Sequence, residues 1–420
     1  MQQIKARYKP MDLKALSFFM RYGQYCMLLM VLIASGCGSE PEPVLTERFI
    51  DPRSRILLQK GAGALEIHEF DYALAFADSA EFFTPMLPDA AFLRGRIFSE
   101  LGDFEKAQRA YEQTLSRDAQ YRGVWHNIGN NDFRQNQFEE AIQHYKKEIN
   151  LHEAPIPWRG IGRAYVELGQ VDSARFAFDQ ALQLDSTYAP AHFNLALLLE
   201  DEGSFEEALH HALKASTYDA EDWDYRYLMA SLLVTNARVE EAIPHLKEVT
   251  QTWPWHHASH YKLGQSLLRA GEAEAGEAMI KRSESLRAQD AKILQLLNSA
   301  RSAHDDPLPH AALGSALRRV GRYEDAMRAY KIARHLDPGN LEVQTNMANL
   351  MLIQGDTLSS IRGYQAILQQ DPAFTDIWVN LGIVYAMSDL NDEARHAWER
   401  ALVLEPENGL AKSYLARLGN

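Results

Sequence analysis

The chain has 420 residues, 46% hydrophobic and 24% charged, a composition ordinary for a soluble globular protein. Its net charge is −14 with no long basic block, so it repels phosphate backbones and nucleic acid is not an expected partner, although a local basic stripe stays compatible with that balance. The length fits two or three domains with separate cores, or a single repeat array.

The N-terminal segment is read first. Lys5, Arg7, Lys9, Lys14 and Arg21 stand against Asp12 alone, ahead of the nine apolar residues CMLLMVLIA at 26–34. A membrane-spanning helix needs about 20 apolar residues, so the run is short for a span and matches the core of a signal peptide. Extending it back to Phe18 and Phe19 would bury Arg21 and Gln24, which is costly.

The stretch Ile33-Ala34-Ser35-Gly36-Cys37 resembles the lipobox of bacterial lipoproteins, with Ala34 where that family most often has leucine. The resemblance implies that residues 1–36 are a lipoprotein signal peptide and that Cys37 is lipidated and becomes the new N-terminus. Several acyl chains anchor stably where one binds only marginally. By the same analogy Gly38, which is not an aspartate, favours the outer membrane facing the periplasm. A plain cleaved signal, or an uncleaved anchor with Cys37 incidental, remain the alternatives. A start at Met11 or Met20 would give a more usual signal length. Cys26, the only other cysteine, leaves with the signal, so no intramolecular disulfide is expected. Residues 37–48, carrying two prolines and no apolar periodicity, read as a tether.

The remainder is periodic. The alanines of DYALAF, EKAQRAY, EEAIQHY, DSARFAF, EEALHHA and EEAIPHL are Ala73, Ala107, Ala141, Ala174, Ala208 and Ala242, spaced by 33 or 34 residues. Gly276, Ala326, Ser360 and Ala394 complete ten small residues. Twelve residues before each lies another: Gly61, Gly95, Gly129, Gly162, Ala196, Ala230, Gly264, Gly314, Ala348 and Gly382. Four residues after the alanine comes a large apolar side chain in most copies, such as Tyr111, Tyr145, Phe178, Leu246, Tyr330, Tyr364 or Trp398.

This pattern resembles the tetratricopeptide repeat over about residues 50 to 406. It implies an all-α solenoid of about ten helix–turn–helix units, with helix A carrying the first small residue and helix B the second. Gly102, Gly169, Gly203, Gly271, Gly321 and Gly355 mark the A–B turns, and Pro338, Pro372 and Pro406 the repeat ends. Repeats 1–7 occupy 49–283 and repeats 8–10 occupy 307–406. Between Gly276 and Ala326 lie 16 residues more than one period. Met279, Leu286, Ile293, Leu297 and Ala300 keep helical spacing through them, so one B helix is expected to run from about Glu272 to His304. Its extension, 284–306, is either a seam between two blocks or an interface with a partner or second copy. Residues 407–420 read as a capping helix, with Leu410, Tyr414 and Leu418 on one face.

No strong catalytic motif is present, and no cofactor is expected. Gly61-Ala62-Gly63 lacks the third glycine of a dinucleotide loop, and Gly264-Gln265-Ser266 lacks the second glycine of a nucleophile elbow. His256, His257 and His260 have spacing that can present imidazoles to zinc. His260, however, shares its repeat position with His192, His310, Trp125, Trp158 and Trp378, a position that packs between helices.

By the resemblance, the working surface is the concave face built from the A helices. Candidate partner-binding residues there are Asn127, Asn130, Arg134, Arg159, Arg163, Phe193, Asn194, Tyr227, Tyr261, Lys262, Gln265, Arg269, Asn346 and Asn380. His126, Arg318, Arg319 and Asn349 lie on the same face. Asparagine both donates to and accepts from a peptide backbone, and arginine holds a carboxylate bidentately. Arg159, Arg163 and Asn194 imitate the start of the carboxylate clamp of some family members, but Asp224 and Leu228 stand where its last basic residues belong. The expected function is a non-enzymatic scaffold that binds protein or peptide partners from a lipid anchor in the bacterial envelope. The rival readings are a regulatory subunit binding carbohydrate or peptide, and a metal-dependent enzyme using the His256–His260 cluster.

Overall fold

The computed structural model describes residues 50–418, so Cys37, the lipobox and the tether lie outside the described residues. No described helix is long and apolar enough to cross a membrane. Among the described residues there are twenty-one helices and no strand. Repeats 1 to 3 pair α1 (Pro52–Glu66) with α2 (Phe70–Phe83), α3 (Pro88–Leu101) with α4 (Phe104–Arg117), and α5 (Val124–Arg134) with α6 (Phe138–Leu151). Repeats 4 to 6 pair α7 (Pro155–Glu167) with α8 (Val171–Leu184), α9 (Ala189–Asp201) with α10 (Phe205–Tyr218), and α11 (Trp223–Thr235) with α12 (Val239–Thr252). Repeat 7 pairs α13 (His257–Arg269) with the long α14 (Ala273–Ser302). Then come α15 (Pro307–Val320) with α16 (Tyr323–Leu336), α17 (Leu341–Ile353) with α18 (Thr357–Gln370), α19 (Thr375–Met387) with α20 (Asn391–Leu404), and a last helix α21 (Gly409–Leu418).

All ten residues of the first small set fall on A helices and all ten of the second on B helices, as the period requires. Tyr145 shows what the spacing accomplishes. A Cβ placed on Gly129 of α5 would stand 2.8 Å from its ring, and one on Gly160 of α7 would stand 2.8 Å from the ring's other side. The ring therefore fills the space between the A helix of its own repeat and that of the next. Tyr111 on Gly95, Phe178 on Gly162, Tyr330 on Gly314 and Trp398 on Gly382 repeat the contact with their own A helices. Hydrogen in place of a methyl lets the ring pack against the backbone, and the ring restores interior packing density.

The A–B turns also share one conformation. The six glycines expected there have φ between 68° and 87°. The four other repeats place His68, Asn136, Ala237 and Asp389 at the equivalent turn, with φ of 57° to 60°. Asparagine and aspartate tolerate this left-handed geometry, whereas alanine at 237 gains nothing from its methyl and is strained by it.

The helix α14 has 30 residues where other B helices have 14, or about 45 Å of rise. Its first half packs on α13 through Gly276 and Gly264, whose backbones approach closely. Its second half gives Ile293 and Ala300 to a core shared with Leu313, Leu317 and Tyr330 of repeat 8. The seam is thus a single rigid helix common to two cores. At the C-terminus, Tyr414 stacks on Trp398 at 5.2 Å and Ala411 is buried. Leu410 points to solvent, 60% exposed, so the covering stripe of α21 is Ala411, Tyr414, Leu415 and Leu418. Leu410 shares the i, i+4 spacing of that stripe but sits in the first turn of α21.

One superhelical turn brings α16 of repeat 8 back to α2 of repeat 1. The end of α14 returns as well, with His304 Cβ 3.5 Å from the position a Cβ on Gly102 would take.

Two substitutions test this architecture. Gly129→Leu is expected to overpack the Tyr145 contact and lower stability by about 1–3 kcal/mol, while Gly63→Ala, with nothing within 4 Å of the new methyl, does not. Unchanged denaturant melting of Gly129→Leu would refute the assigned phase. Ala237→Gly is expected to raise the melting midpoint, because glycine relieves roughly 1 kcal/mol of left-handed strain at φ 60°.

Candidate functional site

The A helices form the inside of the curve. Successive A helices touch one another, as in α1–α3, α3–α5, α5–α7, α7–α9, α11–α13 and α15–α17, while their B partners fan outward. The predicted concave residues all stand on A helices, with unequal freedom.

Several asparagines already have partners. The amide of Asn127 donates to the Gly123 carbonyl at 2.7 Å, and that of Asn194 to the Pro190 carbonyl at 2.5 Å. Asn130 accepts from the Tyr145 hydroxyl at 2.8 Å and meets His126 Nε2 at 3.1 Å. Asn349 accepts from the Tyr364 hydroxyl. Asn130 and Asn349 thus tie their A helices to the B helices behind them, while Asn127 and Asn194 bond carbonyls four residues back, uses that repeat spacing does not reveal. Asn346 and Asn380, half-buried, make no such bonds among the described residues.

The cations differ. Among the described residues, Arg94, Arg117, Arg175, Arg226 and Arg238 are all ion-paired with glutamates or aspartates. Arg134, Arg159 and Arg163 make no ion pair there. Arg134 donates to the Ser99 carbonyl at 2.5 Å and lies 5.0 Å over the Phe104 ring. Arg163 lies 4.6 Å over Phe133. Arg159 sits four residues before Arg163, and its Nε is buried without a partner, as is that of Arg318. Burial, then the neighbouring Arg159 charge, lowers the Arg163 pKa. Burial likewise lowers that of Arg134, with Arg301 from the end of α14 adding to the effect and Glu100 opposing it. Arg134 and Arg163 are exposed and Arg159 half-buried, with like charge near Arg134 and Arg163. Helix faces of this kind favour an anion.

The aromatic members sit beyond them. Phe193 packs at a tilt against Tyr225 at 4.8 Å, and Tyr227 meets His256 edge-on at 4.7 Å, with burial pushing the Tyr227 hydroxyl up to about 12. Tyr261 and Arg269 are exposed, Lys262 and Gln265 half-exposed, and Arg319 exposed beside Arg318.

The histidine cluster has a local explanation. The His260 Nε2 atom donates to the Pro254 carbonyl at 3.2 Å, six residues back. At the same repeat position His192 donates to Ser186 at 3.1 Å, Arg226 to Ala220 at 3.0 Å, Gln344 to Pro338 at 2.8 Å and Trp378 to Pro372 at 2.9 Å. In these five repeats the position pins the loop that enters the A helix, whereas Trp158 Nε1, at the same position in repeat 4, is buried without a partner. The sequence shows that histidine, tryptophan, arginine and glutamine recur there, and their one common property is a long side chain ending in N–H. His256 packs edge-on against Trp253. The described residues contain no group of three His, Cys, Asp or Glu placed to hold a metal.

In repeat 5 the His192 bond leaves its Nδ1 as acceptor, so His211 Nδ1 donates to it at 2.9 Å. Burial, then the His192 charge, lowers the His211 pKa to about 4.

Family models described as tetratricopeptide repeat match residues 92–155, 227–291 and 310–342, and one described as TPR repeat matches 162–203. With ten helix pairs in register, the chain is a tetratricopeptide-repeat protein. Arrays of this class bind protein and peptide partners on extended concave surfaces. The chain is 22% identical over 289 residues to the TPR repeat-containing protein YpiA of Bacillus subtilis, covering 68% of this chain and 64% of that protein. It is 22% identical over 331 residues to the BBSome complex member BBS4 of Bos taurus, covering 72% of this chain and 64% of that protein. The matched region thus spans less than two thirds of either relative. The solved structure of PilF from Pseudomonas aeruginosa shares 18% identity over 48% of this chain and 92% of that one, with a TM-score of 0.43.

Acid is expected to destabilise the fold. Burial lowers the pKa of His126, His211 and His256 to about 4 from an ordinary value near 6.5. The unfolded chain then binds more protons between pH 6.5 and 4, so stability is full above that window and falls through it. Thermal melting at pH 7 and pH 5 checks this; an equal or higher midpoint at pH 5 contradicts it.

Proposed function

We propose that this chain is a non-enzymatic scaffold, anchored by lipid on Cys37 in the bacterial envelope, outer membrane facing periplasm, that holds segments of partner proteins along its concave face. The observation that carries the binding role is the set Arg134, Arg159 and Arg163. In an acidic chain, these three A-helix arginines make no ion pair with a carboxylate among the described residues, whereas Arg175 on the B helix α8 pairs with Glu202. An acidic or C-terminal segment would supply the missing charge, with Arg–carboxylate geometry giving direction and Phe193 and Tyr261 giving apolar area. Asn346 and Asn380 are the amides left to bond a peptide backbone farther along. The anchor is supported by the lipobox resemblance and the short tether.

Two measurements test the two halves separately. Intact-mass spectrometry of protein from detergent-solubilised membranes is expected to give a chain that begins at acylated Cys37, and Cys37→Ser is expected to move it to the soluble fraction. A partner recovered with the chain is then titrated as a purified protein. Arg159→Ala with Arg163→Ala is expected to weaken binding by about tenfold or more, which is about 1.4 kcal/mol, while Arg175→Ala on the outer face leaves it unchanged. Equal affinity for all three proteins would remove the inner arginines from the site.

A further inference from the structure

Solenoids are held by contacts between neighbouring repeats. This one has a contact between residues more than 260 positions apart. The basic face of α16 meets the first A–B turn. Lys331 Nζ donates to the Ile67 carbonyl at 2.6 Å and pairs with Glu69 at 3.0 Å. Arg334 pairs with the other oxygen of Glu69 at 2.6 Å. Arg328 Nε donates to His68 Nε2 at 3.0 Å, and His335 Nδ1 meets Asp71 at 2.6 Å. Residues 328, 331, 332 and 335 follow i, i+3, i+4, i+7 spacing, so they form one stripe of the helix. Burial raises the Glu69 pKa, but Arg334 and Lys331 outweigh it and hold the carboxyl below its ordinary value.

The balance of chemistry in this contact differs from that of the neighbouring repeat-to-repeat junctions. Those junctions are built on apolar cores with rings such as Tyr111 and Tyr145 that are exposed to 2% or less, and ion pairs such as Arg94 with Asp78 only add to them. Here the apolar share is Ile332 and the edge of Phe70 against His335, and Phe70 already belongs to the core of repeat 1. The rest is charge at a partly wet surface, which salt screens over about 8 Å at physiological ionic strength. Closure also sets Arg301 against Arg134 in the groove, a repulsion that opposes it.

We propose that Glu69 and Asp71 of repeat 1 and the Lys331, Arg334 and His335 stripe of repeat 8 form a releasable electrostatic latch, which sets whether the first superhelical turn is a closed ring or an open spiral. Opening needs only a small change of rotation at each of seven repeat junctions, because pitch is a sum of per-repeat rotations. The closed form encircles the concave face, and the open form exposes it from the side. The latch therefore controls entry to that face, whatever the partner is.

Small-angle X-ray scattering of the full chain in detergent, across salt, reads the two states. The unaltered chain is expected to be compact at low salt and to gain radius of gyration and maximum dimension at high salt. Glu69→Lys is expected to be extended at every salt concentration. Combining Glu69→Lys with Lys331→Glu and Arg334→Glu is expected to restore compactness at low salt. Circular dichroism confirms that each variant keeps its helix content; should Glu69→Lys fail to fold, Lys331→Ala with Arg334→Ala opens the same contact from the other side. A radius of gyration that ignores both salt and the reversal, or a charge swap that fails to restore compactness, would overturn the proposal.

Discussion

The structure depends on how closely two helices can approach when one presents hydrogen where a methyl would otherwise stand. Between repeats 3 and 4, Gly129 and Gly160 leave a slot that the Tyr145 ring fills, each glycine meeting one side of it. Because the ring serves its own repeat and the next, each pair is incomplete until its neighbour arrives, and stacking propagates along the chain. The core is consequently a column of small clusters rather than one interior, and curvature follows from A helices that touch and B helices that fan apart.

Charge is distributed unevenly along the array. Some arginines find acids on neighbouring helices, as Arg175 of α8 does with Glu202 and Arg226 of α11 with Glu248. Arg159 and Arg163 make no ion pair among the described residues, although Glu167, one turn beyond Arg163, lies near enough to act on its charge. The face proposed for binding thus carries arginines without ion-pair partners among the described residues, in a protein that is acidic overall. The loop-pinning bonds of His192, His260 and Trp378 keep the A helices that carry these groups in fixed positions.

Much of the fold was legible in the residues. Small residues twelve apart, an aromatic four later and a turn glycine between them report contacts within some forty residues, so the phase, the turns and the long α14 could be read directly. The site was legible only in part. The sequence places Asn127, Asn130 and Asn194 on the concave face, but whether an amide is free depends on which carbonyl or hydroxyl lies within about 3 Å, and all three are engaged. Likewise Arg159 and Arg163 can be named from their register, while the absence of a carboxylate opposite them is a property of the assembled groove.

By itself, then, the sequence determined the repeat, its helix pairs and the A helices on which the candidate binding residues stand, because each of those rests on neighbours close in the chain. Tertiary structure decided the closure. Arg328, Lys331 and Arg334 read as an ordinary solvated helix face until seven junctions of rotation carry them to Glu69, and a sum of small rotations is not written in any one repeat.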